Sequence, residues 1–133
     1  MWGPLQNPEH VEFYEDFNRR RSAQQEDWMP MVRAVKHLQS LPAAPQLHAF
    51  TSLWRFYVTT SPSYRDSRRH SAVSIIWRWP NQRFRLTFSA LANGWVDDWE
   101  PHQICEESMF PSAVEPLIRR LLATPPTEAA PGS

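Results

Sequence analysis

The fold is decided between residues 72 and 88, where the chain reads AVSIIWRWPNQRFRLTF. Large apolar side chains alternate with smaller or polar ones on both sides of Pro80-Asn81-Gln82, whose residue types favour a turn. The apolar positions are Val73, Ile75, Trp77 and Trp79 before the turn and Phe84, Leu86 and Phe88 after it. This pattern predicts an antiparallel hairpin whose other face carries Arg78, Arg83 and Arg85.

The sheet is predicted to extend on both sides of this hairpin. An alternating run from Phe50 to Thr59 indicates a preceding strand, with Arg55 and Tyr57 on the outer face if Phe56 and Val58 point inward. Asn93-Gly94 favours a turn, and a fourth strand is expected from Trp95 to Trp99, with a continuation at 103–105. Together these runs predict a four-stranded antiparallel meander.

Helices are expected before and after the sheet. Asn7-Pro8-Glu9 has the residue types of a helix start, and Asp27 can cap a second helix that has Pro30 in its first turn. Residues 8–41 fit either two helices or one helix kinked near Pro30, and two are favoured. Ser112 and Glu115 have the spacing of a capping box, which predicts a last helix with Pro116 in its first turn.

The predicted organisation is one α+β domain over residues 8–123, preceded by a flexible leader at 1–7 and followed by a disordered, Pro-rich tail at 124–133. Two N-terminal helices and the C-terminal helix pack on one face of the meander. The other sheet face is then expected to be exposed, and its residues matter most for function.

The amino-acid composition excludes several classes of protein. Of 133 residues, 41% are hydrophobic, which is too many for an intrinsically disordered chain. Three Gly residues are too few for a glycine-rich phosphate loop. Cys105 is the single cysteine, so an internal disulfide is excluded. No secretory-signal pattern and no run that could span a membrane occur, so we expect a cytoplasmic protein without cofactor or membrane association.

Charge is segregated although the formal net charge is zero. Residues 51–90 contain seven Arg against Asp66, whereas residues 91–116 contain six acids and no base. An outer sheet face with Arg78, Arg83, Arg85, Arg55 and Tyr57 is suited to an acidic partner protein, or alternatively to a nucleic-acid backbone. The opposing interpretation is that the basic and acidic blocks pair with each other across strands.

The string Trp95-Val96-Asp97-Asp98-Trp99-Glu100 is the most unusual local feature. Trp95, Asp97, Asp98 and Trp99 fit an acidic, aromatic interaction edge, because Trp is a frequent energetic anchor of interfaces. The alternative is that both Trp residues belong to the core. A metal site is not predicted, because Asp97 and Asp98 would face opposite sides of a strand.

The predicted function is a non-catalytic protein-binding module, of the kind of an immunity or antitoxin-like inhibitor or an adaptor. In layout, size and charged sheet the chain resembles bacterial immunity proteins and other small inhibitors. This resemblance concerns architecture alone and transfers no site. The alternatives are a nucleic-acid-binding protein, a small enzyme that uses His102 and Cys105, and a homodimer. An enzyme is disfavoured, since acids at 106 and 107 would raise the thiol pKa.

Overall fold

A computed structural model describes residues 2–20, 27–52, 55–63, 70–78, 82–89 and 100–126. Within these ranges the chain forms three α-helices, α1 (Glu9–Arg20), α2 (Met29–Gln39) and α3 (Phe110–Ala123). Six strands are described, namely β1 (Trp2–Pro4), β2 (His48–Thr51), β3 (Arg55–Thr59), β4 (Ala72–Arg78), β5 (Arg83–Ser89) and β6 (Gln103–Cys105). They form one antiparallel sheet in the order β1-β2-β3-β4-β5-β6. The fold is therefore α+β with an antiparallel meander.

The predicted number of four strands is wrong, since six occur in the described ranges. One additional strand is β1, which pairs with β2 and lies where the sequence predicted a flexible leader. The second arises because the run 50–59 is divided between β2 and β3. Ser52 and Arg55 exchange backbone hydrogen bonds of 3.0 and 3.2 Å at this division. The sequence gives no sign of it, because Leu53 and Trp54 are not turn-forming residues.

The N-terminal part forms two separate helices, as favoured from the sequence. Asn7 Oδ1 accepts a 3.0 Å hydrogen bond from the backbone N–H of Glu9 at the start of α1. Asp27 Oδ1 accepts a 3.0 Å bond from the N–H of Met29 at the start of α2. Asn18 of α1 joins the two helices, because its Oδ1 accepts a 2.9 Å bond from the N–H of Trp28.

The predicted capping box of the last helix is wrong. α3 begins at Phe110, directly after a 3-10 helix (Glu107–Met109), so that Ser112 already lies inside it. Pro111 is in the first turn, whereas Pro116 is in the helix interior and removes one backbone donor. Phe110 fixes this earlier start, because its buried ring packs 4.8 Å from the ring of Phe84 in β5.

The core combines buried side chains of the three helices with those of one face of the sheet. β3, β4 and β5 contribute buried side chains that alternate along each strand, and α2 and α3 cover them with aliphatic residues. The strand residues are Phe56, Val58, Val73, Ile75, Trp77, Phe84, Leu86 and Phe88, and the helical ones include Met31, Val35, Leu38, Val114, Ile118 and Leu121. None of the helices in the described ranges combines the length and hydrophobicity needed to span a bilayer.

The second face of the sheet, opposite the helices, is only partly open. Tyr57, Ser74 and Thr87 form a row across β3, β4 and β5 on this face, and all three are buried. The expectation of a wholly exposed second face is therefore wrong. The exposed side chains on it are Pro4 in β1 and Arg83 and Ile104 in β5 and β6, and Arg55 and Arg85 between these edges are partly exposed. A partner could therefore reach this face near its edges and at these two arginines.

Candidate protein-binding surface

Strand register assembles a row of alternating arginine and isoleucine on the second face. Arg55 in β3 is the partner of Ile76 in β4, Ile76 is the partner of Arg85 in β5, and Arg85 is the partner of Ile104 in β6. We call these four residues the arginine row. Adjacent strands are about 4.8 Å apart, so the backbones at Arg55 and Arg85 are about 10 Å apart. The two arginine side chains thus begin from backbone positions of defined spacing.

Tyr57 orients the first arginine of the row. Arg55 Nη1 donates a 2.7 Å hydrogen bond to the Tyr57 hydroxyl, and the Arg55 guanidinium carbon lies 5.5 Å from the centroid of the Tyr57 ring. That ring in turn packs 6.2 Å from the ring of Phe50 in β2. Tyr57 is 6% exposed, so it positions Arg55 and offers little surface of its own. Tyr57, predicted from sequence as a binding residue, is thus buried beside Arg55.

Arg85 is the central cation of the row. Its side chain is half-buried between those of Ile76 and Ile104 on the neighbouring strands. Ile104 is 58% exposed, the largest exposure among the large hydrophobic residues described. Across the described ranges no ion pair joins Arg85 or Arg55 to a carboxylate. The exposed Ile104 therefore lies beside Arg85, and neither Arg85 nor Arg55 is neutralised by a carboxylate of the described residues.

Arg83 differs from Arg85, because it pairs within the chain. Its Nη1 lies 3.0 Å from Glu106 Oε1, just beyond the end of β6. For Arg83, the structure therefore agrees with the opposing interpretation, in which the basic and acidic blocks neutralise each other. Both side chains are largely exposed, so the pair can open at little cost when a partner competes for Arg83.

Other acids of the acidic block pair with arginines outside the basic block. Glu100 accepts hydrogen bonds of 2.5 and 2.8 Å from Arg120 of α3, and this arginine lowers the pKa of the Glu100 carboxyl. Glu107 pairs with Arg33 of α2. These contacts tie the chain near β6 to the helix layer. Because Glu100 and Glu107 are paired in this way, neither carboxylate pairs with the arginine row.

His102 belongs with the arginine row and not with Cys105. Partial burial lowers the pKa of His102, and the Arg85 and Arg55 cations lower it further. Cys105 instead pairs in register with the core residue Phe84, and burial raises the pKa of its thiol. The sequence had grouped His102 with Cys105. Strand alternation, which puts positions 102 and 104 on one side and 105 on the other, was the signal that could have separated them.

Several predicted site residues cannot be located on this surface. Trp95, Asp97, Asp98 and Trp99 lie outside the described residues, and of Arg78 only the backbone is described. That backbone pairs with Arg83. In the described part of the chain, no three His, Cys, Asp or Glu side chains are grouped in a way that could hold a metal ion.

Comparison with family models, with curated proteins and with solved structures finds no match to this chain.

Proposed function

We propose that the protein is a non-catalytic binding module, an inhibitor of the immunity or antitoxin kind or an adaptor, that recognises a partner protein through the arginine row. One observation carries this proposal. Arg55 and Arg85 lie in one row of the sheet, on the face away from the core, without a carboxylate partner among the described residues, and Arg85 is next to the exposed Ile104.

The composition of this surface is that of an interface anchor. Arginine is enriched at the energetic centres of protein interfaces, because its planar group can stack, donate several hydrogen bonds and be desolvated at lower cost than an ammonium. Strands β3 and β5 fix the backbones of Arg55 and Arg85, and Tyr57 holds one guanidinium in place. Less side-chain freedom is then lost on binding, which favours affinity.

The separation of charges is expected to raise the association rate and to orient the partner as it approaches. The cations of the row are on the second face, whereas Glu100 and Glu107 are tied to arginines of α3 and α2. A partner with an acidic patch would be attracted toward β3–β5 and turned away from the acidic side of β6. Steering of this kind raises the association rate and depends on ionic strength.

Affinity capture with matched charge reversals tests the proposal. The wild-type protein, Arg85→Glu and Arg119→Glu are immobilised and exposed to extract of the organism that encodes the chain. Arg119 is the control, because it is an exposed arginine on α3 and undergoes the same charge change. A partner is identified by mass spectrometry, purified and titrated by calorimetry.

We expect Arg85→Glu to weaken the affinity for the purified partner at least tenfold, whereas Arg119→Glu changes it less than twofold. Thermal unfolding of the three proteins verifies that each is folded. Equal affinity of the partner for wild type and Arg85→Glu would show that the arginine row is not the binding surface.

A further inference from the structure

The cationic cluster on the second face has the properties of an anion site. Arg55 and Arg85 are two strands apart in one row, and the alternation of β6 continued from Ile104 puts position 102 on the same side of the sheet. Glu106, just beyond the end of β6, is engaged with Arg83 at 3.0 Å. Three groups that prefer an anion therefore lie together without one among the described residues.

We propose that Arg55, Arg85 and His102 bind two carboxylates of an acidic segment in the partner, spaced about 10 Å apart, while Ile104 receives an adjoining apolar side chain. This inference rests on the proposed function and specifies the chemistry of its partner. On a helix, acids seven residues apart have the matching separation, since the rise is about 1.5 Å per residue.

A protein carboxylate fits this site better than a nucleic-acid phosphate. The formal net charge of the chain is zero, and the arginine row contains two arginines. An extended phosphate backbone is bound through many cations, whereas two discrete carboxylates need only two. The exposed Ile104 also offers an apolar contact surface. A phosphodiester has no apolar group that could pack against it.

Binding is expected to be linked to protonation of His102. Burial lowers the pKa of His102 in the free protein, and the charged groups that act on it, Arg85 from β5 and Arg55 from β3, lower it further. Carboxylates bound to these arginines would offset the positive field, so the pKa of His102 rises in the complex. Affinity should therefore increase as the pH falls from about 7.5 to 6, a range in which carboxylates stay ionised.

The test uses a defined probe with the full chain. The probe is a capped, Ala-rich helical peptide that carries two Glu residues seven positions apart and a Leu four positions after the second. A control peptide has Gln in place of Glu, and a twelve-nucleotide oligouridylate represents phosphodiesters. Binding is measured by fluorescence anisotropy at pH 7.5 and pH 6.0, and His102 is titrated by NMR with and without peptide.

Saturable binding of the Glu peptide is expected, weakened at least tenfold in Arg85→Gln and in the Gln peptide but less than twofold in Arg119→Gln. Binding should be about threefold or more tighter at pH 6.0, and His102→Gln should remove that gain with little effect at pH 7.5. Tighter binding of the oligouridylate than of the Glu peptide, or an unchanged pKa of His102, would overturn the inference.

The two proposals can fail separately. If a natural partner depends on Arg85 but the Glu peptide does not bind, the carboxylate inference is wrong and the proposed function stands. If neither the natural partner nor the peptide depends on Arg85, both are wrong.

Discussion

Arg55 and Tyr57, two residues apart on β3, are joined by a 2.7 Å hydrogen bond from the guanidinium to the phenol oxygen. Residues two apart on a strand project from the same face, so a phenol at position 57 can steady the arginine at 55. The Tyr57 ring is itself packed against Phe50. A support of this kind fixes one end of the arginine row before a partner arrives.

Removal of the Tyr57 hydroxyl should weaken binding without unfolding the protein. Tyr57→Phe keeps the ring against Phe50 but loses the hydrogen bond to Arg55, a contact of about 0.5–1.5 kcal/mol. We expect about threefold to tenfold weaker affinity for the partner, measured by calorimetry, and a small change in melting temperature. An affinity equal to that of wild type would show that Arg55 does not need this support.

The ion pair between Arg83 and Glu106 should be weak and replaceable. Both side chains are largely exposed, and such pairs contribute about 0.2–1 kcal/mol. Arg83→Glu is expected to lower the free energy of unfolding slightly, and the swapped double variant Arg83→Glu with Glu106→Arg should recover most of it. Urea unfolding of the four proteins gives the coupling energy. Strictly additive effects would mean that the contact contributes nothing to stability in solution.

The hairpin was predictable because its two strands carry one unbroken alternation each. Val73, Ile75 and Leu86 face the helices and Arg85 faces away, as the period of two requires. The additional strands were not predictable, since β1 has three residues with a Pro, and β2 joins β3 without turn-forming residues. Pairing across the sheet, which no local pattern encodes, creates both.

The site was predictable in part for the same reason. Arg55 and Arg85 were assigned to the outer face from alternation alone, and the register confirms that they share a row. The pairing of Arg83 with Glu106 was open in the sequence, because it depends on where the chain runs after β6. The burial of Ser74 and Thr87 also lay beyond the sequence, since solvent access on a sheet face is set by neighbouring strands.

Phe84 connects the sheet to the last helix, and truncation of its side chain should destabilise the protein strongly. The ring is fully buried, 4.9 Å from the ring of Trp77 and 4.8 Å from that of Phe110. Phe84→Ala should cost about 3–5 kcal/mol in the free energy of unfolding, because it leaves a cavity under α3. The control Leu122→Ala, at an exposed position of α3, should cost about 0.5 kcal/mol or less. Similar losses for both variants, measured by urea unfolding, would contradict this assignment of the core.

His10 should make the protein sensitive to acid. It is fully buried, its Nδ1 lies 2.8 Å from Thr51 Oγ1, and burial lowers its pKa in the folded state. Because an unfolded histidine titrates near about 6.5, the unfolded state binds more protons below that pH, and stability falls as the pH drops through this range. The loss due to His10 is at most about 1.4 kcal/mol per pH unit.

Urea unfolding at pH 7.5 and 5.5 measures this effect. His10→Gln is expected to be less stable than wild type at pH 7.5 but to lose less stability on acidification. The other histidines titrate alike in both proteins, so the difference isolates His10. Equal losses in the two proteins would show that His10 is not the source of acid sensitivity.

Site-specific photo-crosslinking tests the central claim most directly. A benzophenone side chain is placed at position 104, in the arginine row, or at position 122, on the exposed side of α3, and each protein is irradiated with its partner. We predict a single covalent adduct with the partner from position 104 and none from position 122. Adduct formation from position 122 alone would place the interface on the helix layer and contradict the account.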